Sequence, residues 1–487
     1  MRADGDKMSL SVKQTSKLIL ILALMFLMLP SALRAVGGNV YLIDGESYYH
    51  ARVAQDIVKE GIPQKDASVF NERDYVLNPY HLLLAIFTFV FGALTASKMV
   101  PLLLGLLCVY LFYLILSNLR LAPWTRLVIA GILILSPVFI YTFSVSAPAC
   151  LILVLNLAGL FFLMKKGKLN TGISLICFSL AATFGILHAL ISAFIVLFYS
   201  FSYKKRLKKG YLIIAAIVFV MLSYAVPAYL ATEKVSFIKT DLISSFISDI
   251  GGASGFSLFA FLLALIGYTL VWKYKQRYYS LYAFSILLIV YSFFNSEALI
   301  YSNLIVVFLA GIAFQHFAGM KWSLKILRNF TLLVLFCGLL FSAVNTVDDL
   351  CNEPPNTSLV NSLIWLKLNS EPDARVFSHY SNGFWIEFIA EQPVVLDGLL
   401  EQTPDVKSLY FDSRQILKTD NLDTAKELLS KYDVRYIIIT KNMQEGLVWE
   451  EEKQGLDFLL TNAETFKKIQ ENSYVRIYEY IYEGADD

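Results

Sequence analysis

The stretch Asp44-Gly-Glu46-Ser-Tyr48-Tyr49-His50-Ala-Arg52 puts two carboxylates, an imidazole, a guanidinium and two phenols into nine residues. It follows closely on an uncharged apolar run, so its chemistry belongs to a membrane surface. Carboxylates two residues apart can serve as a general base or as cation ligands. His50 and Arg52 can hold a phosphate, the guanidinium by a two-point contact. A helix starting near Ser47 would place residues 46, 50 and 53 on one face. On composition alone, a solvated loop whose tyrosines anchor at the interface accounts for the same residues. Asp56 and Glu60 fall on a later amphipathic part of the loop, where a solvated helix face explains them.

The elements that must position this stretch are membrane spans. Of the 487 residues, 57% are hydrophobic and 16% charged, against about 45–50% and about 25% in soluble domains. The excess lies in long uncharged runs, the mark of a polytopic α-helical membrane protein. Eleven spans are expected: 18–35, 98–117, 127–143, 147–164, 171–186, 187–202, 211–230, 256–272, 279–295, 298–318 and 329–346. The first reads as an uncleaved signal-anchor behind a tail of residues 1–17. The apolar piece His81 to Leu94 is short for a span of about 20 residues and suits an interfacial or re-entrant helix. If it does not cross, the loops on one side carry 16 basic residues and no acid, and the short loops on the other carry only Lys234 and Lys239 as cations. Basic loops mark the cytoplasmic side. The amino terminus is therefore expected inside the cell membrane, with residues 36–97, 231–255 and 347–487 outside and residues 98–346 forming the bundle.

After residue 347 the chain becomes charged and mixed. Leu359, Leu363 and Leu366 recur at helical spacing, and Arg375–Ser378, Val394–Leu396 and Val434–Ile439 read as buried strands. A helix over Asp423–Lys431, capped near Asn421, falls between them. This alternation predicts an extracytoplasmic α/β domain over 347–487. Four of the five cysteines lie in apolar runs, which gives no disulfide framework and no metal-ligand spacing. The net charge of +2 and the lack of a long basic arm offer nothing to a nucleic acid. His188 reads as a hydrogen-bonded turn residue, Glu297 as a solvated helix-end acid, and Asn356-Thr-Ser358 as an outer-side glycosylation sequon.

The run Glu46 to Arg52, followed by Gly61-Ile-Pro63-Gln-Lys-Asp66 and Asn78-Pro79-Tyr80-His81, resembles the first outer loop of GT-C membrane glycosyltransferases. It is closest to the oligosaccharyltransferase catalytic-subunit family, whose loop has an acid, two aromatics, His and Arg in this order. A further echo is Ser378-His-Tyr-Ser-Asn-Gly383-Phe-Trp-Ile386 with Glu391-Gln-Pro393-Val-Val-Leu-Asp397-Gly398, where that family has its Trp-Trp-Asp acceptor motif. The resemblance implies inverting transfer of a sugar or glycan from a polyprenyl- or dolichyl-phosphate carrier to a glycan, lipid or protein acceptor on the outer face. It places Glu46 on the loop acid that helps bind a metal and the acceptor, with Asp44 the second candidate for the base. His50, Arg52, Tyr48 and Tyr49 would lie near the carrier phosphate, and His379, Tyr380 and Ser381 on the acceptor side. The implied cofactor is a divalent cation, manganese or magnesium, with Glu46 among its ligands.

The departures are specific. Ser381 replaces the acid that reads the acceptor hydroxyl, and Ser144-Val-Ser-Ala147 offers no acid in the second outer loop. An oligosaccharyltransferase with a divergent acceptor site and a catalytically inactive assembly subunit are the alternatives. A transporter fits less well, because the spans carry essentially no charge.

Overall fold

The computed structural model describes residues 12–202, 207–231, 246–252, 254–272, 275–451 and 454–481. The chain divides into two compact units. Among the described residues, the first comprises 12–35, 98–202, 207–227, 246–252, 254–272 and 275–352, and the second 36–97, 228–231, 353–451 and 454–481. The expected outer loop at Glu233 lies outside the described residues.

The first unit is helical. Each apolar run expected to span becomes a helix or a bent helix pair, and prolines and glycines set most of the breaks. Pro137 and Pro148 each occupy the first turn of a helix, where a missing N–H is harmless. The pair Pro123–Ile134 and Pro137–Ser144 bends by 59°. Gly185, at φ +149°, separates Lys168–Ala182 from Ile186–Ser202. Pro227 follows a π-turn at Met221–Ala225, which absorbs the hydrogen bond that the proline cannot donate. Among the described residues five helices can cross a membrane by length and composition, or six with the bent pair. The other five apolar runs form shorter helices of 10–17 residues. The eleven runs are thus helical, and their number as crossings is not fixed by length. His188 Nδ1 is 2.9 Å from the Tyr301 hydroxyl, so the turn histidine is hydrogen-bonded.

In the second unit, Asp44 caps the helix Gly45–Glu60, its side chain accepting from the Glu46 N–H at 3.2 Å. Asp44 adopts φ +65°, and Gly61 ends the helix at φ +89°. A short antiparallel hairpin follows, β1 (Lys65–Asp66) with β2 (Arg73–Asp74). Asn78 then caps the helix Pro79–Phe91, which buries Tyr80, His81, Leu84 and Ala85 and exposes Ile86, Phe89 and Val90. It stops at Gly92, φ +80°.

The remainder of this unit is α/β. A four-stranded sheet has the order β3 (Val376–Phe377), β4 (Tyr436–Thr440), β6 (Val475–Tyr480), β5 (Phe466–Glu471). β3 and β4 are parallel and the other pairs antiparallel. β4 is buried on both faces, as its unbroken Tyr-Ile-Ile-Ile run requires. Tyr436 and Ile438 join one core with Tyr48, Val53, Val69, Leu363 and Trp385. Ile437 and Ile439 join another with Ile416, Leu429 and Trp449. The first core fuses residues 36–97 with the carboxy-terminal stretch, and Val394 bridges both Val69 and Val376. The strand expected at 394–396 is thus reduced to bridges. The β5–β6 hairpin and the helix Val406–Lys418 are additions to the expected elements. The helix Leu422–Lys431 starts where expected, with Asn421 accepting from the Asp423 and Thr424 N–H groups.

Candidate functional site

Glu46 stands on the first turn of its helix with 48% of its side chain exposed. One turn later His50 is buried, its Nε2 3.2 Å from the Glu46 carboxyl and its Nδ1 2.7 Å from His81 Nε2. The other nitrogen of His81 lies 2.9 Å from the Tyr75 hydroxyl. Burial lowers the pKa of His50 to about 3 and holds His81 well below the usual histidine range. Both rings are therefore neutral, each with one N–H and one bare nitrogen. With Glu46 ionised a single directed chain satisfies all three contacts. Tyr75 donates to His81 Nδ1, His81 Nε2–H to His50 Nδ1, and His50 Nε2–H to the carboxylate. Protonating Glu46 permits the reverse direction through the same atoms.

Crowding by protein raises Glu46 to about 7, and the solvent that reaches half of its side chain limits that rise. A carboxyl raised above the usual range and open to solvent is suited to take a proton. Asp44, expected as the alternative base, caps the helix and accepts the backbone N–H of Glu46.

Arg52 departs from its expected role. Its guanidinium makes a two-point contact with Asp66, at 2.9 and 2.7 Å, and sits 3.2 Å from Glu387. Arg73, only 1% exposed, ties Asp66 at 2.8 Å to Asp397 at 2.6 Å. Two guanidiniums thus face three buried carboxyls, and the part-exposed Asp56 lies 3.5 Å from Arg52 at the edge of the cluster. Burial first, and then the charge of Asp397, push Glu387 well above the usual range, whereas Arg52 and Arg73 outweigh burial at Asp66 and hold it below. With Glu387 neutral the charges balance, as a buried cluster requires. Gly383 sits against this cluster. A Cβ there would lie 2.7 Å from the Asp397 Cα, so the close approach of the two segments demands glycine.

The expected phosphate-holding set is therefore corrected. Arg52 spends its charge on Asp66 and Glu387, and both ring nitrogens of His50 are engaged. Tyr48 is fully buried and donates to the Leu42 carbonyl. Tyr49 is buried between His50, His81 and Phe384, with Arg52 and Arg73 over its ring. Tyr48 and Tyr49 are core residues of this unit. His379, Tyr380 and Ser381 stay half-buried, His379 Nδ1 2.8 Å from the Ser381 hydroxyl and its ring packed on Tyr380. Among the described residues no group of three or more His, Cys, Asp or Glu side chains could hold a metal ion. The acids that cluster, Asp66, Asp397 and Glu387, are filled by guanidiniums. These residues do not fit the divalent site expected around Glu46. Asn356 uses its side chain to cap the helix Thr357–Asn369, accepting from the Leu359 N–H, so the sequon is tied to a helix start.

Arg73, Glu387 and Tyr75 went unrecognised in the sequence, where each is one polar residue among many. His81 and Asp397 fall within the stretches that carry the resemblance.

No protein-family model matches the sequence, and no curated protein matches it in sequence. Solved structures do match. The archaeal oligosaccharyltransferase AglB from Archaeoglobus fulgidus, in complex with an inhibitory peptide and a dolichol-phosphate, aligns at TM-score 0.62 and 12% identity, over 88% of this chain and 70% of its own. ArnT from Cupriavidus metallidurans, bound to undecaprenyl phosphate, aligns at 0.56 and 12% identity, over 97% of this chain and 98% of its own. The chain has the GT-C fold. The arabinofuranosyltransferase AftD from Mycobacteria shares it at 0.59 and 12% identity, over 98% of this chain and 42% of its own. Another AglB structure is a complex with Zn and sulfate.

Proposed function

We propose that this GT-C chain is a membrane glycosyltransferase that moves a sugar or glycan from a polyprenyl-phosphate-linked donor to an acceptor on the outer face. The observation that carries the reading is Glu46: an open carboxyl backed by the hydrogen-bonded chain of His50, His81 and Tyr75. In the proposed step the acceptor hydroxyl loses its proton to Glu46 and its oxygen attacks the anomeric carbon. The bond from that carbon to the phosphate oxygen breaks, and the phosphate leaves on its carrier with the bonding electrons. Attack opposite the leaving group inverts the anomeric centre. His50 keeps the carboxylate oriented by donating from Nε2. Neighbours of the same fold hold dolichol-phosphate or undecaprenyl phosphate, which supports a lipid-linked donor. The outer-face assignment rests on the basic residues concentrated in loops of one side.

The test compares the surface glycans of cells lacking the protein with those of cells given it back. A glycan that disappears, and returns with the wild-type chain but not with Glu46→Gln, is the expected result. Restoration by Glu46→Gln would favour an assembly subunit without chemistry of its own.

A further inference from the structure

A cavity of about 450 Å³ opens in the second unit where β4 ends and β6 begins. This lies within the range of about 300–1,000 Å³ typical of small-molecule sites. Its floor includes Ile439 and Val475, both 1% exposed, and its walls are polar. Asp457, 7% exposed, is fixed in the wall: Arg476 Nη2 donates to one oxygen at 2.7 Å, and Gln444 Nε2 contacts both at 3.1 and 3.2 Å. Gln444 is presented by the turn Met443–Leu447, whose sharp bend uses Gly446 at φ +113°. The opposite rim is built as firmly. Asn472 accepts from the Tyr474 and Val475 N–H groups, both at 2.9 Å, and donates to the Ser358 carbonyl and the Ser362 hydroxyl.

The chemistry of the lining selects its ligand. Two cations, Lys441 and Arg476, face three carboxylates, Glu445, Asp457 and Glu471. Arg476 is paired with Asp457, and Lys441 is 3.3 Å from Glu445, so little positive field is left for an anion. Each of the three carboxylates is itself paired with a lysine or arginine, and among the described residues no group of three or more His, Cys, Asp or Glu side chains could hold a metal ion. An apolar occupant would strip water from Asp457 and Gln444 without replacing its hydrogen bonds, which is costly. A neutral ligand dense in hydroxyls fits every wall. Its hydroxyls can donate to the Asp457 carboxylate and the Gln444 carbonyl and accept from Lys441 and Arg476.

We propose that this cavity is a saccharide-binding site. It shares no residue with the Glu46 cluster and does not depend on Glu46 being a base. It would hold a sugar unit of a glycan longer than the residue that reacts.

The experiment is saturation-transfer NMR on the detergent-purified full chain with a panel of neutral di- to tetrasaccharides, and inorganic phosphate as the anionic control. Saturable saccharide binding is expected, weakened roughly tenfold or more by Gln444→Ala and by Asp457→Asn. Asp457 also anchors Arg476, so Gln444→Ala, which breaks no ion pair, decides if Asp457→Asn lowers the Tm. No binding by any saccharide of the panel overturns the proposal, and so does binding that Gln444→Ala leaves intact. Phosphate binding lost in Arg476→Gln would mark an anion site and overturn it equally. None of these failures touches the transfer chemistry at Glu46, which is read by activity.

Discussion

A carboxylate at a helix start can satisfy the orphan backbone N–H groups or meet a substrate, and Asp44 and Glu46 divide those tasks. Asp44 turns back onto the helix, at a positive φ that Asn also tolerates. Asp44→Asn is therefore expected to retain transfer close to wild type, because Asn caps as well as Asp. Asp44→Ala should lose about 0.5–2 kcal/mol of local stability, seen as a lower Tm. Loss of transfer in Asp44→Asn with an unchanged Tm would return Asp44 to the chemistry. The sequence could not make this division. Two acids separated by a glycine look alike until the chain direction at the cap is known. It also pointed Arg52 at a phosphate, because whether a guanidinium faces a ligand or an internal carboxylate depends on Asp66, fourteen residues away, and on Glu387.

Elements of the second unit are tied by charge as much as by apolar packing. Arg73 on β2 holds Asp66 on β1 and Asp397 beyond Val394, so one buried guanidinium pins the hairpin to the carboxy-terminal stretch. Removing one partner of such a pair leaves buried carboxylates unpaired and costs about 3–5 kcal/mol. Arg73→Met should accordingly lower the Tm of the purified protein sharply, and adding Asp397→Leu should recover part of the loss. An unchanged Tm in the single variant would show that the cluster does not hold the unit together. The pH dependence has a definite sign. Asp66 has its folded pKa depressed below an unfolded value of about 3.9. Its contribution is complete above that value and is lost as pH falls through the folded one. The helices around the cluster were legible from Leu359, Leu363 and Leu366 and from the cap at Asn421. The β5–β6 hairpin was not, because Phe466–Glu471 buries chiefly Phe466 and carries four charged or amide side chains in six residues.

At the scale of the whole molecule, the apolar runs and the resemblance of the first loop pointed to the GT-C fold, and the solved structures share it at about one residue identical in eight. Hydrophobic patterning survives such divergence because packing needs only apolar side chains of suitable volume. Span number is less legible, since several apolar runs are cut by prolines and glycines into helices shorter than a bilayer. Glu46 combines an exposed carboxyl with the hydrogen-bonded chain through His50, His81 and Tyr75. Purified protein should be supplied with a polyprenyl-phosphate-linked sugar and its acceptor, and the transfer rate followed against pH for the wild type and Glu46→Gln. A general base must be ionised to act, so the wild-type rate should rise with pH as the Glu46 carboxyl, raised above the usual carboxyl range, ionises. Glu46→Gln should be slower by about 10²–10⁴-fold and lack that rise. Full activity in Glu46→Gln, or a wild-type rate that falls as pH passes through neutrality, would contradict the account.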